Sequence, residues 1–513
     1  MKIGVDVGGT HTDAVLLDGD DVVSSVKALT SADVTTGILD ALEHILSDSG
    51  IEESAIEAVM LGTTQFTNAV VERRHLSEVA AIRIGLPSGD GLPPMIGWPE
   101  DIAGCLGDAR YMLQGGTLYD GKPVAQLDMD EVDRVIKDIQ QRGLDTVAIS
   151  AAFSPMEAGP ELAVAERLAA AIPGLNITCS NQIGRLGLLE RENAALLNAS
   201  LLKFADNVVD AFGTALRRRG LSCPFYVSQN DGTLMDAEFV RRFPALTFAS
   251  GPTNSLRGAC KLTGLDDAIV IDIGGTTSDI GILQGGFPRE SNVVIEVGGV
   301  RTNFRMPDIL ALGLGGGSRV QDEGRRIGPQ SVGHDLVTRG LAFGGDVMTA
   351  TDLLVAAGKV EVGTVKPELD AQTVSNGIDS IGKMLNQGVE QMMPRSEPLP
   401  VILVGGGAIL VSEDLEAASS MYIPEHSGVA NAIGAAIAQI GGEVERLVSY
   451  RDTPREEAIQ QISAEAASTA IAAGADASTI RIADIEETTI SYMAEGSTRV
   501  RIKAVGDIGK TSA

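Results

Sequence analysis

The chain has 513 residues, 44% of them hydrophobic and 21% charged, with a formal net charge of −29. This length supports several packed cores, and the composition is that of a globular protein rather than a disordered one. The acidity argues against general nucleic-acid binding and against anionic membrane surfaces, both of which require a basic footprint.

No apolar run reaches the ~18 residues a membrane-spanning helix needs. The opening MKIGVDVGG carries Asp6 within its apolar run and lacks a signal-peptide layout, so the expected location is cytoplasmic. Cys105, Cys179, Cys223 and Cys260 form no C-x-x-C pair and the five histidines form no H-E-x-x-H. The cysteine spacing argues against a zinc ribbon, a redox pair or a local iron–sulfur motif and for buried free thiols.

In chain order, IGVDV (3–7) and AVLL (14–17) read as a β-hairpin around a glycine-rich turn. Val34, Ile38, Leu42 and Ile45 recur at helical spacing, with Asp33 as the N-cap and Gly50 after the end. AIEAVMLGTT and EVAAIRIG are strands, and residues 88–127, which hold Trp98, form a turn-rich excursion. Helices follow over 128–143, from Pro160 to Pro173, and over 189–218, with the strand LDTVAISAAF between the first two. Beyond Asp267, AIVIDIGG, IGIL, NVVIEV and LPVILVGGG are strands of a second unit, and the last glycine run leads into a helix. The alternation predicts an α/β fold. It is divided into residues 1–185, a connecting helix and segment over 186–266, a second domain over 267–441 and a small α+β appendage over 442–513.

One internal repeat carries the functional reading. IGVDVGGTHTDAVLLDGD (3–20) aligns with IVIDIGGTTSDIGILQGG (269–286) at a constant offset of 266 residues. Asp6 matches Asp272, Gly8 and Gly9 match Gly274 and Gly275, Thr10 matches Thr276, and Asp13 matches Asp279; Thr12 becomes Ser278 and keeps its hydroxyl. Paired glycines remove Cβ atoms, so the turn's N–H groups can point at phosphate oxygens. Hydroxyls add donors, and an aspartate at a strand end offers a hard oxygen for Mg²⁺. Two such hairpins facing across a cleft can grip the triphosphate of ATP. Further glycine turns at Gly315, Gly316 and Gly317 and at Gly405, Gly406 and Gly407 suit a phosphate or nucleoside loop.

DVGGTHTD, LGTTQFTNAVVERR (61–74), SGPTNSLRGA (250–259), IDIGGTTSDIGIL (271–283), GLGGGS (313–318), TATDLLVAAG (349–358) and the VGGGA turn together resemble the hydantoinase A/oxoprolinase family over roughly residues 1–440. The D-x-G-G-T motifs are shared across the actin-like ATPase superfamily. The resemblance therefore implies two duplicated ribonuclease-H-like domains flanking an ATP cleft. It also implies ATP- and Mg²⁺-dependent opening of a cyclic amide or imide through phosphorylation of the amide carbonyl, often with a second subunit. Carried over, Asp6 and Asp272 organise Mg²⁺ or the attacking group. Gly8, Gly9, Thr10, Thr12, Asp13, Gly274, Gly275, Thr276, Thr277 and Asp279 surround the phosphates. Thr63, Thr64 and Asn68 line the cleft near the terminal phosphate, and Gly405–Gly407 hold the nucleoside.

The chain lacks the family's Pro-Gly-Pro-x-Cys-Tyr signature in GPQSVGHDLVTRGLAFGG, where His334 is read as a solvent-facing loop residue. Arg301, Arg305 and Arg319 are read as near enough to the glycine loop to meet a carboxylate. A small-molecule kinase and an ATPase switch that activates another protein remain as rival functions on the same fold.

Overall fold

The computed structural model describes residues 1–8, 11–29, 34–118, 121–291, 294–394, 397–451, 453–490 and 497–509. Gly9, Thr10 and the expected cap Asp33 lie outside these residues, as does the second half of TTISYM.

The chain opens on an antiparallel ribbon of β1 (Lys2–Val7), β2 (His11–Asp18) and β3 (Asp21–Leu29). β1 and β2 are nearly continuous apolar runs because both their faces are covered. α1 (Val34–Ser49) covers one face with Ile38, Ala41, Leu42 and Ile45, and β4 (Ala58–Thr63) pairs parallel to β1. α2 (Gln65–Glu72) starts directly after the Gly-Thr-Thr turn, a helix the sequence reading did not assign.

A second, parallel sheet is built from β5 (Ala80–Leu86), α3 (Glu100–Leu106), β6 (Arg110–Gln114), α4 (Met129–Arg142), β7 (Thr146–Ala151), α5 (Gly159–Ala171) and β8 (Asn176–Cys179), in strand order β6-β5-β7-β8. Asp128 caps α4 by accepting from Asp130 N, and Gly143 ends it in the left-handed conformation. The excursion over 88–127 supplies α3 and β6, and its Trp98 indole N–H donates to buried Asn193 at 2.8 Å. α6 (Leu188–Arg218) runs between the two sheets. It is followed by β9 (Phe225–Ser228), β10 (Thr233–Asp236), α7 (Ala237–Arg242) and α8 (Ser250–Thr263).

The second domain repeats the first. β11 (Ala268–Ile273) pairs antiparallel with β12 (Ser278–Gln284), which also borders β13 (Phe287–Pro288). Short ribbons β14 (Ile295–Val297) with β15 (Val300–Thr302), and β17 (Ser318–Gln321) with β18 (Arg326–Ser331), flank β16 (Ile309–Leu312), which lies on β12. α9 (Leu336–Arg339), α10 (Ala350–Ala356) and α11 (Ala371–Met392) lead to β19 (Val401–Val404), parallel to β11, then β20 (Met421–Tyr422) and α12 (Ala430–Ala436). After β19 the glycine run enters only a short 3-10 turn, Ala408–Leu410, in place of the expected helix.

The chain then returns to the first domain. β21 (Gln439–Ser449), α13 (Arg455–Ala472), β22 (Arg481–Thr489) and β23 (Ser497–Gly506) continue its sheet, which runs β22-β23-β21-β10-β9-β4-β1-β2-β3. The C-terminal α+β appendage is thus joined edge to edge with the first domain, because β21 pairs parallel to β10.

Two helices couple the domains. α8 precedes the second sheet and packs on it through Leu256 and Ala259, while α12 packs back on the first through Ala432, Ile433 and Ala436. They cross at backbone contact. A Cβ on Gly258 would lie 1.9 Å from the Ala430 carbonyl oxygen, and one on Gly434 1.9 Å from that of Asn254. Among the described residues no helix is long and apolar enough to cross a membrane.

Candidate active site

The two repeats fold alike. Asp6 stands opposite Asp13 across β1 and β2, as Asp272 stands opposite Asp279 across β11 and β12. Gly8 N donates to His11 O at 3.0 Å, and Gly274 N to Thr277 O at 2.9 Å, so each turn is closed by the same bond. Beside each aspartate a glycine makes room. A Cβ on Gly62 would lie 2.3 Å from Asp6 Oδ1, and one on Gly405, whose φ is +83°, 2.3 Å from Asp272 Oδ1.

The crossing helices join the two aspartates. Asn431 on α12 donates from Nδ2 to Asp6 Oδ2 at 3.2 Å. Ser255 on α8 is hydrogen-bonded both to Asn431 Oδ1 and to Asp272 Oδ2. A hydroxyl carries one proton, so a neutral Asp272 completes the chain by donating to Ser255 while Ser255 donates to Asn431.

The electrostatics agree. Burial pushes the Asp6 carboxyl up to about 7, helped by the negative charge of Asp13 and opposed by the Asn431 hydrogen bond. Asp279 is likewise pushed up to about 7, by burial and then by Asp272. Burial raises Asp272, with the Ser255 hydrogen bond opposing. Lys27, on β3, binds both carboxylate oxygens of Asp13 at 2.8 Å and the Gly428 carbonyl of the second domain at 3.0 Å.

The Gly62-Thr63-Thr64 turn closes the first hairpin from the side. Thr63 is buried and accepts from Gln65 N at 3.2 Å, Ser250 donates to its carbonyl, and Asn68 Nδ2 reaches Thr64 Oγ1 at 3.4 Å from an exposed position. Thr12 is fully buried. Thr276 and Thr277 are exposed at the tip of the second turn. Gly315, Gly316 and Gly317 lie behind that turn. Their N–H groups bond Ser318 Oγ, Gly274 O and Gly275 O, so they brace the hairpin and offer no free donors to a phosphate. Gly407 N bonds Ile273 O, and Gly406 faces the Lys27 side chain. His334 is 77% exposed against Asp335. Arg305 is engaged by Glu443 and Glu445 well inside the protein, and Arg301 points at Glu190.

Lys27, Asn254, Ser255 and Asn431 belong to this site and were given no role from the sequence. Asn254 and Ser255 lie inside SGPTNSLRGA. Lys27 sits in an edge strand with no motif, and Asn431 is a polar residue in a helix of small ones. Asn254 is fully buried, and neither its Nδ2 nor its Oδ1 has a partner. Its Nδ2 would stand 2.7 Å from a Cβ on Gly62, the same point that Asp6 Oδ1 crowds.

Among the described residues no group of three or more His, Cys, Asp or Glu forms a metal cage. The residues fit Mg²⁺ of the nucleotide-borne kind, held by one or two carboxylates, water and phosphate oxygens. Two carboxyls with raised proton affinity, one unpartnered amide and two Cβ-free cradles leave room and capacity for it.

Two matched strand-turn-strand units, facing each other through crossed helices, define an actin-like ATPase fold. Residues 2–172 match the hydantoinase/oxoprolinase N-terminal region and residues 191–397 match hydantoinase/oxoprolinase. The chain belongs to that family. It is 26% identical over 396 residues to caprolactamase subunit alpha of Pseudomonas jessenii, covering 71% of this chain and 55% of that one. It is 25% identical over 410 residues to the acetophenone carboxylase gamma subunit of Aromatoleum aromaticum, covering 71% and 54%. The chain thus spans about half the length of these two curated relatives. The crystal structure of the ATP-dependent caprolactamase from Pseudomonas jessenii superposes with a TM-score of 0.80 at 19% identity, covering 99% of this chain and 87% of that one. Nucleotide-free acetone carboxylase gives 0.67 at 17% identity, covering 99% and 88%.

Proposed function

We propose that this chain binds ATP with Mg²⁺ between its two hairpins and activates a cyclic amide or imide for hydrolysis, as one subunit of a hetero-oligomer. The observation that carries this reading is the Asp6–Asn431–Ser255–Asp272 chain, which links equivalent aspartates of the two hairpins. Kinship with a caprolactamase alpha subunit and a carboxylase gamma subunit supports both the chemistry and the partner.

In the proposed reaction the terminal phosphoryl group of ATP passes to the amide carbonyl oxygen and ADP leaves. Water then adds to the activated carbon, the ring C–N bond breaks with its electron pair going to nitrogen, which takes up a proton, and a second water cleaves the resulting acyl phosphate to carboxylate and phosphate. An amide is a poor electrophile, which is why activation is needed. The backbone N–H groups of Gly9 and Gly275, with the hydroxyls of Thr10, Thr276 and Thr277, are assigned to the phosphates, while Gly8 and Gly274 close the turns that present them and Thr12 backs the first turn from its buried position. Asp6 and Asp272 would hold Mg²⁺, which neutralises phosphate charge when bound. Lys27 adds the nearby cation. Thr64 and Asn68 are placed at the substrate side, and Gly405–Gly407 at the nucleoside.

The test is phosphate release from ATP in the presence of hydantoin, 5-oxoproline and caprolactam, with and without the protein encoded beside this one. Amide-dependent release supports the reading. A stable phosphorylated product would favour a kinase, and release that depends on bicarbonate and a ketone would favour a carboxylase subunit.

A further inference from the structure

Three consecutive polar residues of α8, Thr253, Asn254 and Ser255, are fully buried where that helix crosses α12. The outer two are engaged. Thr253 Oγ1 lies 2.9 Å from the carbonyl oxygens of Asn230 and Ala249, and Ser255 joins Asn431 to Asp272. Asn254 between them is idle. Among the described residues it is the one side chain that encloses two polar atoms and leaves both without a partner. Such an amide is less favourable than an apolar side chain of the same shape, so packing alone does not account for asparagine at this position.

The idle amide lies next to the first hairpin. Its Nδ2 is 2.7 Å from the point where a Cβ on Gly62 would sit, and Asp6 Oδ1 is 2.3 Å from the same point. The space left by that missing side chain is what separates the amide from the carboxyl. Gly62 lies inside β4 and has no positive φ, so the backbone conformation does not call for glycine there. The close approach of Asp6 and Asn254 does. The Asn254 backbone is held firmly, since its carbonyl oxygen is in contact with α12 at Gly434. Movement is left to the side chain.

Each oxygen of Asp6 therefore stands near one amide, and the two amides come from different helices of the crossing. Asn431 on α12 donates to Oδ2 at 3.2 Å. Asn254 on α8 stands beside Oδ1 without bonding it. A carboxylate that helps to hold a metal ion needs hydrogen bonds from its surroundings to fix its plane. Its oxygens have lone pairs enough to accept an N–H as well.

We infer that Asn254 is a positioning residue for Asp6: when nucleotide and Mg²⁺ bind, its side chain turns into the space beside Gly62, Nδ2 donates to Asp6 Oδ1, and two amides then fix the carboxylate between the crossing helices. Asn254 touches neither nucleotide nor substrate and acts through Asp6. The inference rests on the nucleotide part of the reading above and adds the residue that ties the loading of the site to the helix crossing.

The experiment compares the full chain with Asn254→Leu, which keeps the volume and removes the amide, and Asn254→Ala, which removes it without crowding the crossing. Thermal midpoints are measured without nucleotide, and a non-hydrolysable ATP analogue is titrated calorimetrically with and without Mg²⁺. Without nucleotide the leucine variant is expected to melt at or above the parent, because an unmet polar group is gone. With Mg²⁺ both variants are expected to lose about 10–100-fold in affinity for the analogue, the usual loss when a partner of a metal-holding group is removed. Without the metal they should bind it as the parent does. A packing role gives a different pattern, a lower midpoint in both variants and a loss of affinity that is the same with and without Mg²⁺. That pattern overturns the inference, as does Mg²⁺-dependent affinity within twofold of the parent in both variants. Binding by the parent that both variants match removes this role alone. No binding by any of the three proteins removes the nucleotide reading and this role with it.

Discussion

Asp6 and Asp272, 266 positions apart in sequence, are joined across the cleft through Asn431 and Ser255, one from each of the helices that cross between the domains. The hydrogen-bonded path therefore runs through the helix crossing itself. Any movement that opens the cleft must stretch this chain, and any loss of the chain frees the two carboxylates from a common frame. Asn431→Ala is expected to lower amide-dependent phosphate release by about 10²-fold, since small misplacements of reacting groups cost that much. ADP binding should change far less. Equal losses in both would show that Asn431 serves only the nucleotide.

The raised Asp6 carboxyl links stability to pH. An unfolded aspartate loses its proton near pH ~4, whereas in the folded chain Asp6 keeps it up to about pH 7. Between those values the native state holds the extra proton, so native stability falls as pH rises. Asp6→Asn removes this cost while abolishing phosphate release. The variant should melt higher than the parent at pH 8, by an amount on the order of 2–4 kcal/mol, and match it near pH 4. A melting difference that does not grow with pH contradicts the placement of Asp6.

Lys27 is the cation on Asp13 that also reaches the Gly428 carbonyl of the second domain. Lys27→Ala should cut turnover by about 10²–10³-fold, the usual loss when a preorganised charge is removed from a phosphoryl-transfer site. Lys27→Arg should restore part of it. Turnover by the alanine variant within twofold of the parent would exclude Lys27 from the site.

The helix crossing tolerates no side chain at Gly258 or Gly434. Gly434→Ala places a methyl against a carbonyl oxygen and should destabilise by about 1–3 kcal/mol or more. Denaturant melts measure it, and Gly104→Ala, where a Cβ meets open space, is the control.

The hairpins were legible in the sequence because a tight glycine turn between two apolar strands leaves glycine and hydroxyl residues at fixed offsets, and two copies make the spacing visible. The strands beside them were legible as apolar runs covered on both faces. β3 was not, since DVVSSVKAL at a sheet edge alternates weakly, and with it went Lys27. α8 was missed because SGPTNSLRGA is rich in glycine, proline and β-turn residues. It folds as a helix because tertiary packing at Leu256 and Ala259 overrides local propensity. Gly315–Gly317 read as a phosphate loop by composition, whereas their N–H groups donate to Ser318 Oγ and to the carbonyls of Gly274 and Gly275. Composition identifies a tight glycine turn and leaves open which side of it faces a ligand.

The most direct measurement is calorimetric titration of a non-hydrolysable ATP analogue with Mg²⁺ into the purified chain and its Asp272→Asn variant. One nucleotide per chain is expected, with heat lost on chelating the metal and affinity weakened about tenfold or more in the variant, a change of about 1.4 kcal/mol. Absence of heat at about 1 mM nucleotide, or binding indifferent to both the metal and Asp272, would contradict a shared nucleotide site between the two hairpins.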